Sequence, residues 1–246
     1  MESAVKHGAI LEKTQNSFEE LAVLNPAVYQ DENSVHTFYR AAKILSFNVK
    51  KNYPLSEIMK ENLLIWNKNV VIFPKKIEEK FVALHRLFTS TQIVYFEKKT
   101  DLITNFWKDY MKNLPDYIIM EPKYDHETSH IGPDAPPIET PHGWLFIYHA
   151  SERREKGLVY YDCAALLDIK NPSKVISRLK KPLISLSEYY ERHGYVNYVF
   201  FPTGTAIFDE RLYIYYGAAD DKTAVTSLNL NDLLNELKNN PNEDAN

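Results

Sequence analysis

The sequence predicts an all-β fold with a few short helices. Two observations carry that expectation: aromatic residues recur in short alternating runs bounded by turn residues, and four such segments superimpose as a repeat. The 246 residues include 17 Tyr, 12 Phe and 3 Trp. Runs such as Val35-His36-Thr37-Phe38-Tyr39, Trp144-Leu145-Phe146-Ile147-Tyr148 and Leu212-Tyr213-Ile214-Tyr215-Tyr216 suit strands, whose side chains alternate between two faces. Pro141-His142-Gly143 and Asp209-Glu210-Arg211 supply turns between them. Core packing accounts for most of these rings. Sugar stacking is the functional alternative, because tyrosine and tryptophan join an apolar face to a polar tip.

In chain order, residues 25–42 (NPAVYQDENSVHTFYRAA) read as a first strand pair. Residues 51–66 read as partly helical, with Ser56 as the N-cap and Ile58, Met59 and Leu63 on one face. Lys68-Asn69 lead into the apolar strand 70–73. Residues 101–114 place Phe106, Trp107, Tyr110, Met111 and Leu114 at helical spacing and stop before Pro115. A C-terminal helix at about 229–238 sets Leu230, Leu233, Leu234 and Leu237 on one stripe, and the tail from Pro241 is expected to fray.

The repeat aligns segments 25–42, 73–86, 136–150 and 201–220, with Pro26, Pro74, Pro136 and Pro202 in register. Their closing residues are Arg40, Arg86, His149 and Gly217, separated by 46, 63 and 68 residues. A unit of about 65 residues with four short strands has the size of a β-propeller blade. Equivalent strand ends in a propeller converge on its axis, so Arg40, Arg86, His149 and Asp220, just past Gly217, are expected to face one pocket. Convergent donors of that kind suit an anion or a polyhydroxyl ligand. The interval of 46 is short for one unit, and residues 9–131 contain no glycine, which is lean for a region of hairpins.

Composition removes several function classes. Lys+Arg 29 against Asp+Glu 33 gives a net charge of −4, so no nucleic acid partner is expected. A single cysteine, Cys163, allows no internal disulfide; in its apolar run, with no base beside it in sequence, it reads as a buried inert thiol. No glycine-rich phosphate loop and no G-x-S-x-G elbow occurs. The first 20 residues hold no apolar signal region and no apolar run approaches 18 residues, so a cytoplasmic protein without a membrane partner is expected. His126-Glu127-Thr128-Ser129-His130 matches the H-E-x-x-H zinc signature, which needs a continuous helix to bring both imidazoles to one metal. Pro122 before it and Gly132-Pro133 after it leave little room for one, so no metal is expected. Arg178, Lys180 and Lys181 read as a solvated strand edge.

The blocks IGPDAPPIETPHGWLFIYHA, AALLDIKNPSKVISRLKKPLI and YVFFPTGTAIFDERLYIYYGAAD, with the earlier blocks 25–42 and 67–86, resemble glycoside hydrolase family 130. The resemblance covers roughly residues 20–45 and 65–238. These are β-mannoside phosphorylases and β-mannosidases on a five-bladed propeller. It implies a single propeller domain over 1–246, acting on a β-mannoside oligosaccharide by phosphorolysis to mannose 1-phosphate or by hydrolysis. It implies no cofactor, inorganic phosphate as the co-substrate of the phosphorolytic route, and a homo-oligomer. Lys68, Asn69, Arg86, His149 and Tyr160 match the phosphate-binding residues, and Asp220 matches a sugar-binding aspartate; Arg40 joins the sugar side from the repeat register. His130 stands where the family has lysine, and Asp134 where it has glycine; both departures weaken the phosphate site. The family's acid aspartate belongs to a G-[VI]-E-D-P-R block, and this sequence has none; its one Glu-Asp pair is Glu243-Asp244. The catalytic acid is therefore unassigned. Five blades of about 65 residues exceed this length by roughly one blade. The short interval puts that gap near 43–55, leaving about four blades. The alternative is an impaired glycan-binding remnant of the same scaffold.

Overall fold

A computed structural model describes residues 3–15, 22–30, 34–42, 67–87, 89–155 and 157–242. The expected helix in 51–66 and the interval around 43–55 lie outside them. The strands are β1 (Val5–Leu11), β2 (Ala22–Gln30), β3 (Val35–Ala42), β4 (Asn67–Ile72), β5 (Phe81–Leu87), β6 (Ser90–Phe96) and β7 (Ile118–Met120). They continue with β8 (His130–Pro133), β9 (Ile138–Thr140), β10 (Gly143–Arg154), β11 (Gly157–Leu167), β12 (Val175–Arg178), β13 (Phe200–Phe208), β14 (Arg211–Ala218) and β15 (Lys222–Asn229). All-β architecture is thus observed, in antiparallel sheets ordered β4-β5-β6-β7, β8-β10-β11-β12 and β13-β14-β15-β1, with β9 beside β10 and β2 paired to β3. Among the described residues no helix is long and apolar enough to cross a membrane.

Period-two alternation explains how the sheets stack. In β10 the side chains of Trp144, Phe146, Tyr148 and Ala150 enter one core with Val82, Leu84 and Ile93 of the first sheet. Their neighbours Leu145 and Ile147 enter a second core with Leu212, Ile214 and Phe200. The middle sheet is therefore covered on both faces, which is why β10 is buried continuously from Gly143 to Ser151. Phe73 meets Trp144 edge-to-face at 5.0 Å across the first core. Truncating a sealed ring such as Phe146 to alanine costs about 3–5 kcal/mol. The two expected amphipathic helices form at Thr104–Lys112 and Leu230–Lys238. The first lays Tyr110 on Ala83, Val94 and Phe96; the second adds Leu233, Leu234 and Leu237 to the second core and is capped by Asn229 Oδ1 accepting from Asp232 N.

The repeat is visible in the backbone pairing. Arg86 pairs with Lys68 and Thr91, His149 with Gly132 and Asp162, and Gly217 with Phe201 and Thr223, so each sits mid-sheet at one equivalent level. The preceding residues His85, Tyr148 and Tyr216 are all buried, and each meets a buried polar partner. Tyr148 OH donates to Glu127 Oε1 and Tyr216 OH to Glu191 Oε1. Both glutamates close a short helical turn, Glu127 accepting from Lys123 N and Tyr124 N, Glu191 from Ser187 N and Glu188 N. Each also binds a cation from the outermost strand of its sheet, Arg178 of β12 or Lys6 of β1.

Several sequence expectations need correction. Arg178 is not on a solvated edge; it is buried, with Nη2 2.5 Å from Glu127 Oε1 and Nε 2.9 Å from Tyr148 OH. The tail does not fray at once, since Asn242 N and Nδ2 donate to Ile176 O and Val175 O; residues 243–246 lie outside the description. The scarcity of glycine is met by other residues adopting its conformation. Glu78-Glu79, Asp209-Glu210 and Ala219-Asp220 are consecutive pairs at positive φ (48° and 64°, 45° and 60°, 49° and 48°). Two positive φ values in succession make the type I′ turns that suit two-residue hairpins.

Candidate functional site

Three sheets deliver side chains to one open cavity of about 840 Å³. β4 carries Lys68 and Asn69, and a register shift between Lys68 and Val71 bulges the strand there. Asn69 has φ 58°, a conformation asparagine tolerates better than most residues. Its Oδ1 accepts from Arg86 Nε at 3.3 Å, orienting the guanidinium. His130 and His149 come from the middle sheet and Tyr160 from β11, their rings 5.5 to 5.8 Å apart. Asp220 arrives on the I′ turn after β14, where Asp221 N donates to Ala218 O. Lys68, Asn69, Arg86, His130, His149, Tyr160 and Asp220 thus line one cavity. Arg40 lies on β3 opposite Leu24, and its side chain is outside the described residues.

Gly132 makes the close approach possible. A Cβ there would lie 2.8 Å from both Arg86 Cδ and His149 Cε1, so only glycine lets β8 pass beneath these side chains. His149 is sealed beneath the cavity, with Phe201 as a further wall at 5.3 Å. Its Nδ1 meets Asp134 Oδ1 at 2.6 Å. Asp134, which stands where the family has glycine, thus lies behind His149, a contact the sequence did not signal. The loop Val196–Val199, which lines the opposite side, carried no motif. Its one sequence signal is adjacency to the aligned Pro202.

Charge in the cavity is unevenly held. Burial, helped by His149, Arg86 and Lys68, lowers His130 to about 3. Burial and Arg86 lower His149 to about 3 as well. Both imidazoles are therefore neutral near pH 7, and the basic side chains of the cavity are Lys68 and Arg86, the guanidinium being lowered from its ordinary value by burial. Burial raises the Tyr160 hydroxyl, so it stays protonated. The result is a donor-rich wall facing a single aspartate.

The H-E-x-x-H segment makes only a turn at Asp125–Glu127, after which His130 opens β8. His126, Glu127 and Cys163 do bring one ligand atom each within 4.8 Å of one another, so Cys163 has neighbours that its sequence context hid. That trio does not fit a cation: Glu127 already accepts four hydrogen bonds, one from the Arg178 guanidinium. Burial raises the Cys163 thiol well above its ordinary range, in keeping with an inert side chain.

The profile of the family described as beta-1,4-mannooligosaccharide phosphorylase matches residues 27–239. The chain belongs to glycoside hydrolase family 130. Among curated relatives, a 1,2-beta-oligomannan phosphorylase of Thermoanaerobacter sp. (strain X514) is 33% identical over 194 residues, 74% of this chain and 60% of the relative. A beta-1,2-mannobiose phosphorylase of the same strain is 37% identical over 160 residues, 65% of this chain and 48% of the relative. This family 130 chain thus spans about half to three-fifths of the length of those relatives. The solved beta-1,2-mannobiose phosphorylase of Listeria innocua, in complex with beta-1,2-mannobiose, superimposes with TM-score 0.60 at 24% identity, covering 92% of this chain and 63% of that one.

Proposed function

We propose that the cavity binds inorganic phosphate beside a β-mannoside and that the chain belongs to the phosphorolytic branch of its family. The observation that carries this reading is the convergence of Lys68, Arg86 and three further donors on one cavity, opposite Asp220. Family 130 relatives named as mannoside phosphorylases supply the sugar. Arg86, steadied by Asn69, grips the anion through charge-assisted hydrogen bonds while Tyr160, His130 and His149 contribute neutral ones. Asp220 accepts from sugar hydroxyls. Phosphate oxygen then forms the new bond to the anomeric carbon as the glycosidic C–O bond breaks, and the leaving oxygen takes a proton.

Which group supplies that proton is the weak point of the chain. The family's acid block is absent from the sequence, and loss of a general acid typically costs about 10²–10⁴-fold in rate. We therefore expect slow phosphorolysis. A second reading, a phosphate- and glycan-binding scaffold without turnover, is favoured by that same absence. The sheets are read as propeller blades within one domain, supported by their equivalent registers, by the stacking of three sheets through two cores, and by β1 joining β15. Incubating the protein with β-1,2- and β-1,4-mannobiose, with and without phosphate, tests the proposal. Mannose 1-phosphate formed only with phosphate supports it; free mannose in both conditions means hydrolysis; no product from folded protein leaves the binding scaffold.

A further inference from the structure

Two carboxyl groups lie behind the cavity wall, and the reading above uses neither. Asp134 Oδ1 is 2.6 Å from His149 Nδ1, with side-chain exposures of 0% and 1%. Asp134 Oδ2 has no hydrogen-bond partner among the described residues. Asp162, directly across the β10–β11 pair from His149, is equally sealed, and neither of its oxygens has a side-chain partner among those residues. The charged and titratable groups around this cluster are Arg86 from β5, His130 from β8, Tyr160 from β11 and Lys6 from β1. Arg86 is engaged by Asn69 and Lys6 by Glu191.

A sealed carboxylate with a partnerless oxygen is strongly disfavoured, more so beside a second carboxyl, and such a group keeps its proton instead. The short 2.6 Å contact suits an O–H donor better than a neutral N–H, whose usual distance is longer. We propose that Asp134 is a positioning residue: its carboxyl stays protonated and donates to His149 Nδ1, so that the imidazole presents Nε2–H to the cavity. Burial pushes the Asp134 carboxyl well above its usual range and His149 down, in the same sense. The opposite tautomer would aim a lone pair at an incoming anion; this one adds a donor beside Arg86. That purpose rests on the phosphate reading, whereas the place of the proton does not.

Long-range 1H–15N correlation of the imidazoles reads the tautomer directly, with the His149 signal assigned by its loss in His149→Gln. The expected pattern near pH 7 is a neutral ring protonated on Nε2; a ring protonated on Nδ1 overturns the proposal. A second readout needs only stability. The carboxyl is raised in the folded state, so between about pH 5 and 7 folded protein holds a proton that the unfolded chain has lost, and rising pH favours unfolding. Asp134→Asn carries no such proton but still donates to Nδ1. The ratio of wild-type to Asp134→Asn folding constants should therefore fall about tenfold per pH unit across that range. A flat ratio overturns the proposal. Asp134→Ala should weaken phosphate binding about tenfold or more while Asp134→Asn retains it; equal binding by all three proteins contradicts the positioning role. A wild type that binds no phosphate overturns the functional reading, and the two proton readouts still decide this one.

Discussion

Arg86 owes its place to two neighbours, Asn69, which accepts from its Nε, and Gly132, which clears the space beside its Cδ. Arg86→Lys removes the planar fork while keeping the charge, and phosphate affinity measured by calorimetry should fall about tenfold or more. Gly132→Ala should do the same through displacement of Arg86 and His149. The buried histidines set the response to acid. His85, lowered to about 4 by burial, donates through Nε2 to Tyr110 OH, whose own proton goes to Ile93 O. Its folded value lies below its unfolded one, so its contribution is present above about pH 6.5 and is lost as pH falls toward 4. His85→Gln, which keeps the donor, should flatten that acid loss by up to about 1.4 kcal/mol per pH unit in denaturant titrations. At this scale Arg86 and His149 were legible through residue type and repeat register, whereas Tyr160 was named only through the family resemblance. Arg178 was misplaced on a solvated edge, and the contact of Asp134 with His149 was not foreseen, because both depend on burial and on partners 51 and 15 residues away in the chain.

Strands and turns show where local rules were overridden. Aromatic alternation marked β3, β10 and β14, and leucine spacing marked the Leu230–Lys238 helix, because both periods are written directly in the residues. The I′ turns were hidden because Glu78-Glu79 and Ala219-Asp220 adopt positive φ without glycine. A left-handed non-glycine residue costs roughly 1–2 kcal/mol. Replacing Glu78-Glu79 by Asn-Gly should therefore stabilise the protein by about 1 kcal/mol or more, read as a higher denaturation midpoint at unchanged slope. β1 is held by Lys6 bonded to Glu191 and lying over the Phe200 ring. Breaking that buried pair with Lys6→Ala should destabilise by about 3–5 kcal/mol and speed amide exchange in β1 before the middle sheet.

The molecule as a whole is organised by the middle sheet, whose two faces join both cores and whose strands β8, β10 and β11 carry His130, His149 and Tyr160 into the cavity. Repetition of the Glu–Tyr–cation arrangement in two sheets shows why a pattern of spaced prolines and strand ends was legible: equivalent positions face equivalent packing problems. Depth was not legible, because a one-dimensional register gives no account of which face is sealed. Titration of the folded protein with inorganic phosphate, followed by 31P NMR for wild type and Arg86→Ala, tests the central claim most directly. Saturable binding by wild type that weakens at least tenfold in Arg86→Ala is the expected result; absence of saturable binding, or equal binding by both proteins, would contradict it.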